Sequence, residues 1–396
     1  MKNYNKFFLL LTITFNLSIL VYSQTENDSI QQKDVVDVLI KAFNIEIKKK
    51  SREDKQVSFS IIPIAPSSSA GRTVAVSSVN AAFYLGPVET TNISNIYLIP
   101  YADFKGSLGL FLRPNIWSKQ NTWNYSGEFR IATYLQYTYG LGANTPESDQ
   151  STIGYNHFRL YASVHRKVVN FFYLGGGLNF DSFYNIEEIE SDQEESPFSE
   201  YGIGTSGTSL ASGLTFNLLR DNRKNSINPK GGYYSTFIFR FHEKAFGSDY
   251  EWSSIFIDLR KYFTFSQTRH SILGFWAMYW GTYGEVPYLN LPGTSMEVNS
   301  RTGRGYNYGR YRGKQMLYAE GEYRFDISAN GLWGGVVFAN MQSYTEPETE
   351  KFQYIKPAIG TGLRLKFDKK SQTNITLDFA MGKDSYNVRV NLGEFF

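Results

Sequence analysis

Long stretches of this chain alternate apolar and polar side chains with a period of two residues. Phe158, Leu160 and Val164, for example, alternate with Arg159 and Ser163. A period of two gives a β-strand two chemically different faces. The alternating segments often run for 10–15 residues, longer than the roughly five or six residues of a typical globular strand. Because a tilted strand needs about 9–11 residues to cross a bilayer, the pattern predicts an all-β, transmembrane barrel.

This periodicity predicts fifteen strands, and antiparallel closure favours an even number because both chain ends then lie on one side of the membrane. The segment 57–65 is a sixteenth candidate, although Pro63 and Pro66 lack the N–H that a sheet ladder needs. The alternative is that one of the longer segments contains two strands. We therefore predict an antiparallel barrel of sixteen strands over residues 57–396. The fifteen segments are 74–86, 94–103, 107–117, 121–138, 151–166, 168–184, 207–219, 231–242, 250–264, 269–282, 314–326, 331–343, 353–367, 372–382 and 385–396.

The composition favours a membrane barrel over the alternative of a soluble all-β protein. Charged residues make up 19% of the chain, below the roughly 25% of a typical soluble domain, and aromatic residues reach 17%. The mean hydropathy is nevertheless −0.34, because only every second residue of a barrel strand must face lipid. The chain has no cysteine, which excludes disulfides and thiolate metal sites. A net charge of +3 gives no reason to expect nucleic acid as a partner.

Residues 1–23 have the three parts of a secretory signal peptide. Lys2 and Lys6 precede a short apolar run, and the small residue Ser23 stands before Gln24. An uncleaved anchor is the alternative, but threonine and asparagine residues interrupt the apolar run. We therefore expect a cleaved signal peptide, export through the inner membrane and a mature chain that begins near Gln24.

Residues 24–56 are expected to form a periplasmic linker that contains an amphipathic helix at 34–50. Asp34 is a suitable N-cap for this helix. Apolar residues then recur at spacings of three and four, which gives the helix one apolar face: Val36, Leu39, Ile40, Phe43 and Ile47. Four roles for the helix remain open: a plain linker, a tether for a partner, an element of the periplasmic rim or a plug of the lumen.

The chain ends in an amphipathic segment whose apolar positions are expected to face lipid. A final strand of this kind with a terminal aromatic residue is typical of the signal by which outer-membrane barrels are recognised for assembly. Glu394 also falls on the apolar face, and we expect it at the membrane edge, where a charge costs little. The apolar positions of the predicted signal are Tyr386, Val388, Val390, Leu392 and Phe396.

Two ordered motifs lie in the second half of the chain. The first is Asp221-Asn222-Arg223, followed by Asn228-Pro229-Lys230-Gly231-Gly232. The second is Arg304-Gly305-Tyr306, followed by Gly309-Arg310-Tyr311-Arg312. Together with the terminal Phe396, these motifs resemble the BamA/TamA family of outer-membrane barrels, also called bacterial surface antigens. The second motif is most similar to that of Bacteroidota members.

The resemblance implies a sixteen-stranded barrel whose longest loop, 283–313, folds back into the lumen. The tip of that loop in the family is an Arg-Gly-aromatic sequence, which is Arg304, Gly305 and Tyr306 here. The tip rests on the inner wall of the strands that follow it. Arg310 and Arg312 belong to the same motif.

The inner wall can be assigned from the alternation in the next two strands. Glu322 falls on the polar face of segment 314–326, where it can accept a hydrogen bond from Arg304. Asn340 stands where the family usually has a second acidic residue. We therefore expect the loop to contact the wall, with less charge pairing than in the family.

The resemblance also implies a role in the biogenesis of the outer membrane. Assembly and secretion members of the family carry periplasmic polypeptide-transport-associated domains before the barrel, and residues 24–56 leave no room for one. We therefore expect an accessory or translocator component in outer-membrane protein assembly. The alternative is a passive pore or structural scaffold. The expected partners are outer-membrane lipids, lipopolysaccharide and other components of outer-membrane assembly, and the expected location is the cell outer membrane.

No motif in the sequence predicts catalysis or a cofactor. The four histidines lack the spacing of a metal site, and the Gly-x-Ser-x-Gly motif is absent. A barrel lipase with a Ser–His pair on its outer face is the alternative. The histidines are His157, His165, His242 and His270.

Overall fold

The computed structural model of the protein is an antiparallel β-barrel, as the alternation predicts. It describes residues 32–43, 57–69, 72–103, 106–191, 193, 195–266 and 271–396. Within these residues there are sixteen strands and two short helices, α1 (Val35–Ala42) and α2 (Pro197–Tyr201). The strands are β1 Ser58–Ser69, β2 Arg72–Phe83, β3 Ser94–Ala102, β4 Leu108–Trp117, β5 Trp123–Thr138, β6 Ser151–Val169, β7 Phe172–Ser191, β8 Gly207–Asp221, β9 Gly232–His242, β10 Trp252–Ser266, β11 Ser271–Gly284, β12 Gln315–Asp326, β13 Trp333–Tyr344, β14 Lys356–Asp368, β15 Thr373–Gly382 and β16 Ser385–Leu392.

The uncertain sixteenth strand is β1, which extends the predicted segment 57–65 to Ser69. Its pairing register with β2 shifts between Ile62 and Ala65, which brackets Pro63. The missing N–H of a proline is tolerated at such an irregularity. The predicted signal peptide 1–23 and the predicted helical residues 44–50 lie outside the described residues.

Inward and outward faces of the wall differ in polarity along each strand. On β12, Glu320 and Glu322 are buried in the lumen, whereas Leu317 and Tyr323 are about two-fifths exposed on the outside, at 43% and 38%. An exposed apolar band around a barrel is the surface that faces lipid. The described helices are all too short or too polar to cross a bilayer.

The two ends of the barrel carry connections of different length. The terminal end is the one where β1 begins and β16 stops, and the loop end is opposite. The connection between β11 and β12, residues 285–314, lies at the loop end and is the longest in the described chain. We call it the luminal loop. Five strands, β12 to β16, follow it, as the family resemblance implies.

Each strand pairs with its neighbours in sequence, from β1 through β16. β1 and β16 lie side by side, yet no hydrogen-bonded ladder joins them in the part of the chain that the structure describes. β16 has only 8 residues, against 12 in β1. The barrel is therefore nearly closed, with a seam between its first and last strands.

The chain end corrects the sequence prediction for residues 385–396. The strand stops at Leu392, and residues 393–396 turn into the lumen. Glu394 is 2% exposed and accepts hydrogen bonds from Arg364 Nε at 2.8 Å and Asn374 Nδ2 at 2.7 Å. Its charge is balanced by a buried arginine, so it does not lie at the membrane edge.

The residues of the predicted C-terminal signal divide into two groups. Tyr386 and Val388 face outward, 71% and 40% exposed, and Val390 is half-buried. Leu392 and Phe396 are buried. The Phe396 ring packs inside the lumen, 5.4 Å from Trp276 between ring centroids.

α1 is capped by its own acidic residues and is attached to the terminal end. Asp34 and Asp37 form a reciprocal capping box. The backbone N–H of Lys33 donates to Asn330 O at 3.1 Å, and Lys369 Nζ donates to Asp37 at 2.6 Å. Partial burial would raise the pKa of Asp37, but the hydrogen bond and charge of Lys369 outweigh it and hold that pKa below its usual value.

Replacing Leu363 by arginine tests whether the outer face meets lipid. Leu363 lies in the middle of β14 and is 47% exposed. An arginine costs about 2–4 kcal/mol near the bilayer midplane and about 0–1 near its edges. We expect Leu363→Arg to lower the free energy of unfolding by that larger amount in a denaturant titration in phospholipid vesicles. Ile355→Arg, in the loop before β14, is the control, and equal losses in both variants would contradict a lipid-facing wall.

Candidate functional site

The luminal loop places its Arg-Gly-Tyr tip inside the barrel. Arg304 and Tyr306 are completely buried. Gly303 and Gly305 have φ values of +66° and +103°, which glycine adopts without the steric cost of a side chain. The base of the loop is tied together by a backbone hydrogen bond from Thr294 N–H to the carbonyl of Tyr311 at 2.9 Å. The tip is therefore a tight turn carried on a paired stem.

Three buried carboxylates surround the Arg304 guanidinium. It donates to Glu322 at 2.7 Å and to Asp378 at 2.6 Å, and it also forms an ion pair with Glu320. Its flat face lies 3.5 Å from the centroid of the Phe338 ring. Hydrogen bonds between ionised groups are stronger than neutral ones, and the planar guanidinium can satisfy several acceptors at once.

Each carboxylate of this cluster also has a second partner on the wall. Glu322 pairs with Arg324, Asp378 with Arg364, and Glu320 accepts from the Tyr318 hydroxyl. Burying an unpaired charge is very costly, so acids inside a filled lumen need several donors. Asp378 lies on β15, and the expectation of weaker charge pairing is wrong because this acid adds a third carboxylate.

Asn340 contributes through an amide where the family usually has an acid. Its side-chain Nδ2 donates to the backbone carbonyl of Arg304 at 2.9 Å. The contact fixes the backbone of the tip and adds no charge. β13 therefore holds the position of Arg304, while β12 and β15 balance its charge.

The backbone of the tip is held by β16. Asn387 accepts a hydrogen bond from Gly305 N–H at 3.0 Å and donates to Tyr306 O at 2.7 Å. Arg389 donates to Gly303 O at 3.1 Å and to Ser295 Oγ at 2.8 Å. The last strand thus reaches the luminal loop through two side chains.

Tyr306 fills a slot between β14 and β15. Its hydroxyl donates to Pro357 O at 2.7 Å and accepts from Lys383 N–H at 3.0 Å. A Cβ added to Gly382 would lie 2.3 Å from the ring, and one added to Gly305 would lie 2.7 Å from the Cβ of Ala358. The slot therefore exists because both positions are glycine.

Arg310 contacts the connection between β5 and β6, and Arg312 contacts an earlier part of the luminal loop. Arg310 donates to Thr145 Oγ1 at 2.9 Å and stacks on Tyr139, 4.4 Å from the ring centroid. Arg312 donates to Tyr288 O at 2.7 Å. These two arginines hold the stem of the luminal loop, and the carboxylate contacts are made by Arg304.

The sequence prediction missed Asp378, Asn387 and Arg389. Each lies on the polar face of a segment whose alternation is visible in the sequence, so its inward orientation could be predicted. The sequence could not predict which of the inward side chains contacts the loop, because a period of two does not determine contacts across the lumen. Glu320, also inward on β12, is the fourth wall residue in this group.

The first motif lies at the terminal end and reaches across it. Arg223 pairs with Asp221 through two hydrogen bonds, at 3.0 and 2.9 Å. Asn225 Nδ2 donates to Ser371 O at 2.8 Å, and Asn228 Nδ2 donates to Gln372 O at 3.1 Å. The connection between β8 and β9 is therefore bound to the connection between β14 and β15. We call residues 222–231 the terminal strap.

The described histidines lie in the wall and not at a metal site. His157 bonds to Asp181 at 2.8 Å, and the same carboxylate accepts from Arg159 Nε at 2.6 Å. Among the described residues, no group of three or more His, Cys, Asp or Glu side chains is arranged to hold a metal ion. This cluster joins β6 to β7 inside the barrel.

The comparisons with known proteins agree with this architecture. A family model described as the Omp85 superfamily domain matches residues 106–396. The structure of BamA from Haemophilus ducreyi lacking POTRA domains 1–3 is similar, with 13% identity, a TM-score of 0.53, and coverage of 86% of this chain and 70% of that chain. CdiB from Acinetobacter baumannii has 11% identity and a TM-score of 0.52, with coverage of 85% and 65%. No curated protein matches the sequence. At these identities the structural likeness shows the fold alone.

Removing Arg304 should leave the wall carboxylates short of a buried counter-charge. Breaking a buried ion pair on one side costs about 3–5 kcal/mol, and we expect Arg304→Ala to lower the free energy of unfolding by that amount. Glu322→Gln should cost less, because Arg304 keeps Glu320 and Asp378. Contacting residues couple by about 0.5–3 kcal/mol, so the double variant should lose less than the sum.

The matched control is the exposed pair at the end of the luminal loop. Lys314 and Glu350 are 2.8 Å apart, with side chains 47% and 66% exposed. Lys314→Ala should change the free energy of unfolding far less than Arg304→Ala, because water and salt screen an exposed ion pair. Fully additive losses for Arg304→Ala and Glu322→Gln would refute the proposed contact.

A pair of glycine variants measures how closely the tip approaches the wall. Gly305→Ala would strain the backbone and place a Cβ 2.7 Å from Ala358. Gly309 also has a positive φ, +69°, but its nearest neighbour would be 3.6 Å away. We expect Gly309→Ala to cost about 1–2 kcal/mol and Gly305→Ala about 1–3 kcal/mol more in the same unfolding assay. Equal losses would mean that the tip is not in close contact.

Proposed function

The chain belongs to the Omp85 superfamily, and from that premise we propose that it is an accessory or translocator component of protein assembly in the outer membrane. The Omp85-type barrel fold supports a location in the outer membrane, and its lipids are proposed partners. In this proposal the terminal end faces the periplasm and the loop end faces outward. Lipopolysaccharide and other assembly components are the proposed partners.

One observation carries the proposal: β16 belongs both to the seam and to the luminal loop site. Its Asn387 and Arg389 hold the tip of the loop, while its free edge meets β1 without a described ladder. A change in loop position would therefore change the support of the seam. A barrel whose wall can respond to its own loop suits work on proteins that enter or cross the membrane.

A passive pore is less well supported because both ends of the lumen are occupied. The luminal loop enters the lumen from the loop end, and its side chains Arg304 and Arg312 are buried there. The terminal strap crosses the other end and is bonded to Ser371 and Gln372. Open conduction would require both segments to move.

We also propose that the barrel acts without catalysis or a cofactor. The charged groups around the tip pair with one another, as Arg304 does with Glu320, Glu322 and Asp378.

Depleting the protein from its own bacterium tests the assembly role. We expect the amounts of other barrel proteins in the outer membrane to fall, as measured by quantitative proteomics of isolated membranes. Wild-type protein and the Lys314→Ala variant should restore them. Asn387→Ala, which removes one link between β16 and the luminal loop, should restore them only in part.

Two results would contradict the assembly role. One is an unchanged outer-membrane proteome after depletion together with purification of the protein as a lone barrel. The other is a large, steady current from the wild-type protein in a planar bilayer, which would favour a passive pore. Heat-modifiable gel migration shows in each case whether the variant barrel is folded.

A further inference from the structure

The polar stripe of α1 faces the barrel. Asp34 is 4% exposed and accepts a hydrogen bond from Lys369 N–H at 2.9 Å. Asp37 accepts two hydrogen bonds from Lys369 Nζ, at 2.6 and 2.7 Å. Residues three apart lie on the same side of a helix, so both acids point at the connection between β14 and β15. The barrel rim therefore holds α1 by its charged side.

The apolar stripe of α1 consequently faces away from the barrel. Val36, Leu39 and Phe43 follow one another at spacings of three and four, and they are 43%, 46% and 71% exposed. With 3.6 residues per turn, this stripe lies on the side opposite Asp34 and Asp37. A surface helix normally packs its apolar side on the protein and turns its polar side to water. α1 has the reverse orientation, so water is an unsuitable surrounding for its outer side.

The position of α1 indicates what covers the apolar stripe. The helix is bonded to Asn330, in the connection between β12 and β13, and to Lys369, in the next connection at the same end. Ile327 and Trp333 flank Asn330, and they are exposed on the outer face at 47% and 43%. They lie at the terminal edge of the lipid-facing band. α1 is therefore attached to the rim beside the edge of a surface that faces lipid.

We propose that α1 is an interfacial membrane anchor, whose apolar stripe inserts into the periplasmic leaflet of the outer membrane. Amphipathic helices of this kind lie in the plane of the interface with the apolar side among the upper acyl chains. The polar stripe, bonded to Lys369, fixes the helix to the barrel at that depth. Of the four roles for the helix that the sequence left open, the anchor is a more specific form of the position at the periplasmic rim. It depends on the membrane location of the barrel and not on the assembly role.

Site-directed fluorescence in vesicles tests this anchor directly. The chain has no cysteine, so the single-cysteine variants Val36→Cys, Leu39→Cys and Lys41→Cys can each be labelled with nitrobenzoxadiazole. The vesicles contain phosphatidylethanolamine and phosphatidylglycerol. We expect the labels at positions 36 and 39 to emit at shorter wavelength and to be quenched by phospholipids with a nitroxide near the headgroup. The label at position 41, beside the polar stripe, should be quenched several times less.

Leu363→Cys, in the middle of β14, is the control for depth. Its label should be quenched best by a nitroxide deep in the acyl chain, which separates a wall position from an interfacial one.

Weak, equal quenching at positions 39 and 41 would overturn the anchor. A blue-shifted emission at position 39 without nitroxide quenching would also overturn it, because a protein would then cover the stripe. Nitroxide quenching that appears only when the protein is diluted in lipid would indicate that a second copy covers the stripe at higher density, and would contradict the proposal. Gel migration confirms that each labelled barrel is folded.

Discussion

The buried charge of Arg304 is the constraint on which the inside of the barrel depends. Glu320, Glu322 and Asp378 lie on two strands that are not adjacent, and all three face the same guanidinium. Without it, the wall would hold an excess of buried acid that Arg324 and Arg364 balance only partly. A buried ion pair adds little stability over an apolar contact of similar shape, but losing one partner is costly. The cluster therefore specifies where the loop must lie more than it strengthens the barrel.

The fixed position of the luminal loop supports the last strand, β16. β16 has 8 residues and one described ladder, to β15. An edge strand with one neighbour is held weakly by backbone hydrogen bonds. Asn387 and Arg389 add side-chain hydrogen bonds to the luminal loop. Residues 393–396 turn inward and are buried inside the barrel. The strand beside the seam is thus secured from inside the barrel, where a ladder to β1 would otherwise secure it.

The fold was predictable because its signal is local. Alternation along each segment predicts which side chains face lipid. It predicts fifteen strands and the inward orientation of Glu322, and the family resemblance predicts the luminal loop. Contacts across the lumen are not local. The curvature of the sheet brings β15 and β16 to the loop, and no spacing in the sequence reports that curvature. Asp378 and Arg389 were missed for this reason.

The chain end shows where the periodic signal misleads. Positions 386 to 396 continue the alternation, so the pattern predicts that Glu394 shares the outward side of Val388. The strand stops at Leu392, however, and Gly393 has a φ of +87°, which turns the chain inward. A buried arginine, Arg364, then compensates the charge of Glu394. Periodicity predicts a side chain's face only while the strand continues, and a glycine in the left-handed region is the local sign that it has ended.

The order of the chain also limits when the luminal site can form. Every wall residue that contacts the tip of the loop lies on β12 to β16, which follow the loop in sequence. Asn340 and Asp378 come into position only as β13 and β15 pair with their neighbours. Asn387 and Arg389 lie on the last strand of all. The loop therefore cannot be fully held until β16 is in place.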